Sequence, residues 1–201
     1  MTERNSIEDD EHSYSEPLIH EVVRKKDNEI LKYIIDNKLT RLNARDFRLC
    51  TPLHYAVTND TTDCTQILLS HRYLKVNAQH HFGNTPLHYF STTAHSKCVK
   101  VLLAHLAINV NITNIYKMMS LRLVANLGHS YIVKLLFARK DTNFALVYRN
   151  RYTPLHLSAS SGFADMLDKI LSKNSFDVNM HNDNGRTQLH CAVKNVHLSC
   201  V

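Results

Sequence analysis

The chain has little glycine and little proline, four of each in 201 residues. So few breakers favour regular structure joined by short turns. They also leave no glycine for a phosphate cradle. No Gly-rich phosphate loop, Gly-x-Ser-x-Gly or His-Glu-x-x-His occurs. No apolar run approaches the length needed to span a bilayer. The first 16 residues are acidic and contain no signal-peptide core, so secretion is not expected. The five cysteines form no Cys-x-x-Cys pair. These absences speak against an enzyme, a nucleotide site and a membrane anchor within this segment.

What the chain does have is a repeat with a step of 34 residues. Thr-Pro-Leu-His occurs at Thr51 to His54, Thr85 to His88 and Thr153 to His156, with Thr-Gln-Leu-His at Thr187 to His190. The same step reaches Pro-Leu-Ile-His at Pro17 and Met-Ser-Leu-Arg at Met119. A second frame is an apolar residue followed by Asn: Leu42-Asn43, Val76-Asn77, Val110-Asn111 and Val178-Asn179, broken only by Phe144-Ala145. A repeat of this period means a stacked array, and such arrays usually bind proteins.

Each unit reads as two short helices. Thr is a good N-cap, and Pro suits the first helical position. Leu53, Ala56 and Val57 belong to a first helix; Cys64, Ile67 and Leu68 make the i, i+3, i+4 stripe of a second. Columns keep register. One reads Ile19, Leu53, Leu87, Leu121, Leu155, Leu189; another reads Ile30, Cys64, Cys98, Ile132, Met166, Cys200. Stacked neighbours should turn these columns into apolar ridges.

With these frames, with Gly128-His129 and Gly162 between paired helices, and with Gly83 and Gly185 before the Thr frame, the chain resembles an ankyrin-repeat protein. The resemblance covers about nine tenths of its length. It implies an all-α array of antiparallel helix pairs with β-hairpin fingers on one side. It also implies a concave face of fingers and first helices that binds protein. The expected organisation is a disordered acidic leader at 1–16 and an array at 17–201. Units begin near 17, 51, 85, 119, 153 and 187, and the last is incomplete.

Several departures from the family pattern carry expectations. Met119-Ser120-Leu121-Arg122 has lost the cap, the Pro and the His, so the fourth unit should be locally soft. Arg122 must find a partner or snorkel. The first unit should act as a cap with a polar outer face of Glu21, Arg24, Lys25 and Lys26. At the other end Ala192, Val193, Val196 and Leu198 would lack a covering helix, which reads as a partial chain or as an end covered by a partner.

Fourteen His residues invite a metal or catalytic reading. Five of them, His20, His54, His88, His156 and His190, share one column. The resemblance makes them local hydrogen-bonding groups that link adjacent repeats. Cys64, Cys98 and Cys200 share a core column, while Cys50 and Cys191 are expected to be more exposed. No cofactor or metal is expected, and no catalytic residue.

Finger tips are the candidate contact sites. They include Phe47 and Arg48; His80, His81 and Phe82; Tyr116 and Lys117; Arg149, Asn150 and Arg151; and Asp183. Tyr55, Tyr89, Leu123 and Leu157 fall in one first-helix column that the family turns towards the concave face. Exposed aromatics beside Arg are typical of interface hot spots. Alternatively, the rings fold back on neighbouring fingers. The leader carries a charge of −5, which leaves +11 on the array. The basic residues are scattered and no nucleic-acid motif accompanies them, so the expected partner is a protein with an acidic or extended segment.

The function expected is therefore non-catalytic protein binding by a scaffold or adaptor in the cytoplasm, with the nucleus as an alternative. Two other readings are the N-terminal region of a larger protein, such as a membrane channel or signalling enzyme, and a stand-alone inhibitor of the NF-κB-inhibitor type.

Overall fold

The computed structural model describes residues 17–93, 96–127, 129–143, 149–172 and 177–201. The leader, Gly128 and Phe144-Ala145 lie outside the described residues. Helices come in pairs: α1 (Leu18–Lys25) with α2 (Asn28–Asp36), α3 (Pro52–Thr58) with α4 (Thr62–Leu69), and α5 (Pro86–Thr93) with α6 (Ser96–Ala104). Then follow α7 (Ser120–Asn126) with α8 (Ser130–Ala138), α9 (Pro154–Ser160) with α10 (Ala164–Leu171), and α11 (Gln188–Lys194). First helices stack on first helices along the array, and α2, α4, α6 and α8 form a second row behind them.

The expected ridges exist. Ile19, Leu53, Leu87, Leu121 and Leu155 are buried, as are Cys64, Cys98, Ile132, Met166 and Cys200. A helix of seven to nine residues is too short to persist alone, so burial in this shared core is what holds each one. The ends show the converse. Ile30 belongs to the second column but is 47% exposed, because no helix among the described residues packs on its outer side. The outer surface of the first unit therefore mixes exposed Leu18, Ile30 and Tyr33 with the polar series expected there. In the sixth unit Leu189, Val193, Val196 and Leu198 are exposed, whereas Ala192 is fully buried against α9 and its neighbours.

The second frame acquires a mechanism. Asn43 Nδ2 donates to the Tyr73 carbonyl at 2.9 Å, and its Oδ1 accepts the Lys75 N–H at 2.7 Å. Asn77 does the same to Ala107 and Asn109, and Asn111 to Asp141 and Asn143. One amide offers a donor and an acceptor in one plane, so it clamps the backbone of the next unit at two points.

Two clamps are missing at one junction. Between units four and five the Asn column holds Ala145, which has no amide, and the His column holds Arg122. The Arg122 guanidinium sits 5.8 Å over the Tyr152 ring, so it meets an aromatic face of the next unit. Here the outer row opens. Helices α8 and α10 scarcely touch, and a cleft of about 450 Å³ lies between them. Val133, Phe137, Phe163 and Met166 line it, with Lys134 and Lys169 at its rim. Unit four itself is better held than its lost cap implies. Arg139 donates to the Leu103 and Ile108 carbonyls of unit three at 2.6 and 3.1 Å and pairs with Asp141.

Two outcomes follow for stability. Asn77→Ala should lower the unfolding free energy by about 1 kcal/mol in urea titration, because it removes both points of a partly solvated clamp. Native-state hydrogen exchange should find α9, α10 and α11 opening before α3 to α6. Equal protection on the two sides of the fourth junction would contradict the weak-joint reading.

Candidate functional site

The Thr-x-x-His frame is a reciprocal cap. The backbone N–H and hydroxyl of Thr51 both donate to Nδ1 of His54, at 3.0 and 2.9 Å. A backbone N–H can only donate, so Nδ1 is unprotonated and the proton is on Nε2. That Nε2–H donates to the Asn84 carbonyl at 3.1 Å, at the foot of the next finger. His88 reaches the Met118 carbonyl at 3.0 Å and His156 the Arg186 carbonyl at 2.9 Å in the same way. His20 bonds the Cys50 carbonyl at 3.0 Å, but Pro17 offers its Nδ1 no N–H and that nitrogen has no partner. His190 keeps its Thr187 pair but is exposed.

Fingers grow from this base. Each is a five-residue turn whose first N–H donates to its last carbonyl: Asp46 to Cys50, His80 to Asn84, Asn114 to Met118 and Asn182 to Arg186, all at 3.0 to 3.1 Å. The first side chain is buried under the turn. Asp46 Oδ1 accepts the Arg48 and Cys50 N–H groups at 2.9 and 2.7 Å, and Asn114 and Asn182 make the equivalent pairs. The fourth residue has positive φ at Leu49, Gly83, Lys117, Arg151 and Gly185. Gly83 has a further reason, since a Cβ there would come within 3.0 Å of the Ile115 nitrogen. Neighbouring fingers are tied by His81 N–H to Arg48 O, Ile115 N–H to Phe82 O and Asp183 N–H to Asn150 O, at 2.9 to 3.1 Å. The fingers follow a hairpin path, but the described residues contain no β-strand, only an isolated bridge between Thr113 and Met119.

The first three tips form one exposed stripe. Phe47 is 78% exposed, with the Arg48 guanidinium 5.2 Å from its ring centre. His81 lies 3.9 Å from Phe82, and Phe82 6.5 Å from Tyr116. Ile115 is exposed beside them, and Lys117 follows. Arg151 and Asp183 are exposed further along. Asn150 lends its carbonyl to the finger stack, and the Arg149 side chain lies outside those described. Two candidates cannot touch a partner in this form: His80 and Leu157 are buried, His80 under its own finger and Leu157 in the main core.

Tyr55 and Tyr89 are half-buried and form the floor of the face, with half-buried Leu123 further along. Tyr55 donates to Asp46 Oδ2 at 2.6 Å, and the Tyr89 hydroxyl lies 3.8 Å from Cys50 Sγ. Their rings pack edge-on against the buried His20 and His54 rings, at 5.3 and 5.5 Å. A hollow of about 150 Å³ lies between Arg48, Tyr55, Thr58 and Tyr89. Cys50 and Cys191 are both buried, contrary to expectation, because each packs beneath the start of a first helix or within it. All five cysteines are free, and burial pushes the thiols of Cys50, Cys64 and Cys98 up. Among the described residues no group of three His, Cys, Asp or Glu converges as a metal site.

Sequence reasoning passed over Asp46, whose carboxylate builds the first finger and orients Tyr55. The column of turn-capping residues, Asp46, His80, Asn114 and Asn182, was a visible signal. Arg139 was not readable, because its partners lie on the preceding unit and no repeat frame marks it.

The sequence profile of ankyrin repeats (3 copies) matches residues 19–114 and 121–201. The chain belongs to the ankyrin-repeat family. The crystal structure of EF0377, an ankyrin repeat protein, superposes with a TM-score of 0.76 at 23% identity, covering 90% of this chain and 93% of that one. No curated protein matches the chain. Ankyrin repeats are a generic protein-interaction module, generally a non-catalytic scaffold. No helix among the described residues is long and apolar enough to cross a membrane.

The caps set a pH dependence. Burial holds His54 and His88 down to about 4 and also lowers His156, against 6.5 for a free imidazole. Below 6.5 the unfolded ankyrin array binds protons that the folded one refuses. Stability is therefore complete above 6.5 and is lost as pH falls towards 4. Full protonation of His54 or His88 puts roughly 3 kcal/mol at stake for each. The urea midpoint should fall steadily from pH 7 to pH 5, where carboxylates are still mostly ionised. A flat profile would contradict the tautomer assigned above.

Proposed function

We propose that this chain is a non-catalytic protein-binding module whose working face is the stripe of fingers one to three with the tyrosine floor behind it. The observation that carries this reading is the run of Phe47, His81, Phe82, Ile115 and Tyr116 along adjacent tips. Nothing in finger construction requires aromatic or branched residues there. The fifth finger, built equally well, is Asn182-Asp183-Asn184. Rigid aromatic side chains give contact area at low entropic cost, and Arg beside them is the common anchor.

Charge supports an acidic partner. Arg45, Arg48, Lys117 and Arg151 are exposed around the stripe. An extended acidic segment laid across the fingers would meet aromatic tips and cationic flanks in alternation. The small hollow under Arg48 suits a short acidic or polar side chain of that segment. Cationic steering of this kind raises the association rate and is weakened by salt. The buried free thiols agree with a reducing compartment, and the cytoplasm is our proposed location.

The test compares affinity capture on the wild-type protein with capture on a variant carrying Phe47→Ala, Arg48→Ala, Phe82→Ala, Tyr116→Ala and Arg151→Ala. All five side chains are exposed, so the variant should fold with unchanged circular dichroism. It should lose specific partners by at least tenfold, and wild-type capture should weaken between about 50 and about 300 mM salt, as the Debye length shrinks from about 14 to about 6 Å. Retention of every partner by the variant would show that the face lies elsewhere.

A further inference from the structure

The four described finger caps are not chemically alike. Asp46, Asn114 and Asn182 each present one oxygen to two backbone N–H groups. His80 occupies the same place in the second finger, buried, and its Nδ1 accepts a single N–H, that of Asn84 at 3.0 Å. An imidazole nitrogen has one in-plane lone pair, and it accepts only while unprotonated. Amide oxygens do not titrate in this range, and the ordinary carboxylate range lies well below that of imidazole. The second finger alone among those described is therefore closed by an imidazole, the side-chain type whose ordinary charge change lies nearest physiological pH.

Asn84 spreads the consequence. Its N–H goes to His80, its carbonyl accepts the Nε2–H of His54, and its Oδ1 accepts the Asn114 amide at 2.8 Å. Asn114 in turn caps the third finger. One residue thus joins the latch, the α3 cap and the neighbouring finger. Protonating Nδ1 sets an N–H against the Asn84 N–H, and that contact must open.

We propose that His80 is an acid-released latch of the second finger: its neutral ring holds the His81-Phe82 tip in place, and protonation frees that tip. The consequence for binding, release of a partner in acid, rests on the face proposed above; the latch itself does not.

The groups around the ring set the direction. On its own finger the His81 ring lies 4.8 Å away and the Phe82 ring 5.7 Å. Helix α3 brings the His54 ring to 6.0 Å, and α5 brings the Tyr89 ring to 5.2 Å. The first finger contributes the Asp46 carboxylate, which favours the cation, while burial and then His81 oppose it more strongly. The net effect keeps His80 below the usual imidazole value. His54 and His88 are held neutral to about 4, so their helix caps stay in place at mildly acidic pH.

Amide hydrogen exchange on the free full-length protein tests this, with rates corrected for the intrinsic pH effect. From pH 7.5 to pH 5 the protection of the Asn84 amide should drop by roughly an order of magnitude. Met118 and Arg186, the equivalent amides capped by Asn114 and Asn182, should keep theirs. In His80→Asn the drop at position 84 should disappear. Equal loss at all three amides, or an unchanged drop in the variant, overturns the proposal. If the variant does not fold, long-range nitrogen–proton correlation of the wild-type His80 ring decides: a proton on Nδ1 at pH 7.5 overturns the latch, and one on Nε2 alone supports it. No partner enters any of these measurements, so their failure is distinguishable from failure of the proposed face.

Discussion

A buried neutral imidazole joining two units is the interaction on which this array depends. Nδ1 of His54 satisfies the N-terminus of its own helix, and Nε2–H holds the carbonyl at the base of the following finger. Each side chain therefore spends both its nitrogens, one within a unit and one towards the next. A helix of seven residues could not supply that order from its own propensity. The arrangement costs the protein its tolerance of acid, because a ring that uses both nitrogens in these roles cannot accept a proton. Where the histidine is replaced by Arg122 the helix survives, and the guanidinium lies over the Tyr152 ring of the next unit.

The asparagine clamp repeats the same logic on the far side of each unit. It has one donor and one acceptor, both committed to the backbone of the neighbour. Histidine and asparagine together pin each of the first three junctions at two places, with the apolar ridges between them. The fourth junction has neither polar pin, and its outer helices part around an apolar cleft. The apolar core nevertheless runs through it, from Ile19 to Ile170. Burial supplies the continuity there, helped by the Lys134–Asp165 ion pair at 3.5 Å and the Arg122 contact with Tyr152.

The finger face follows from these constraints. Buried first residues and left-handed fourth residues fix the path of each turn, which leaves the second and third positions free to vary. Phe47, His81 and Ile115 share one of these positions, and Arg48, Phe82 and Tyr116 share the other. A scaffold that builds its turns from buried caps can thus change its contact surface without changing its fold. The second finger departs from this separation, because His80 is a cap that also responds to pH.

By itself the sequence determined the array, its register and the buried histidine and cysteine columns, because each depends on residue type at a fixed period. It also placed the exposed aromatics at the tips. Only the tertiary structure decided which neighbours those columns meet. Asn43 and Asn77 are a frame in the sequence and a clamp only when the next unit lies against them. Arg139 is unmarked in the repeat yet holds two carbonyls of the unit before it. His80 looked like a loop contact and is instead a buried cap, and Leu157 shares a column with two half-exposed tyrosines and is itself buried. Periodicity specifies which face of an element a residue occupies. Whether that face meets solvent, a ring or a carbonyl depends on the distance to the next unit, and that distance exists only in the folded stack.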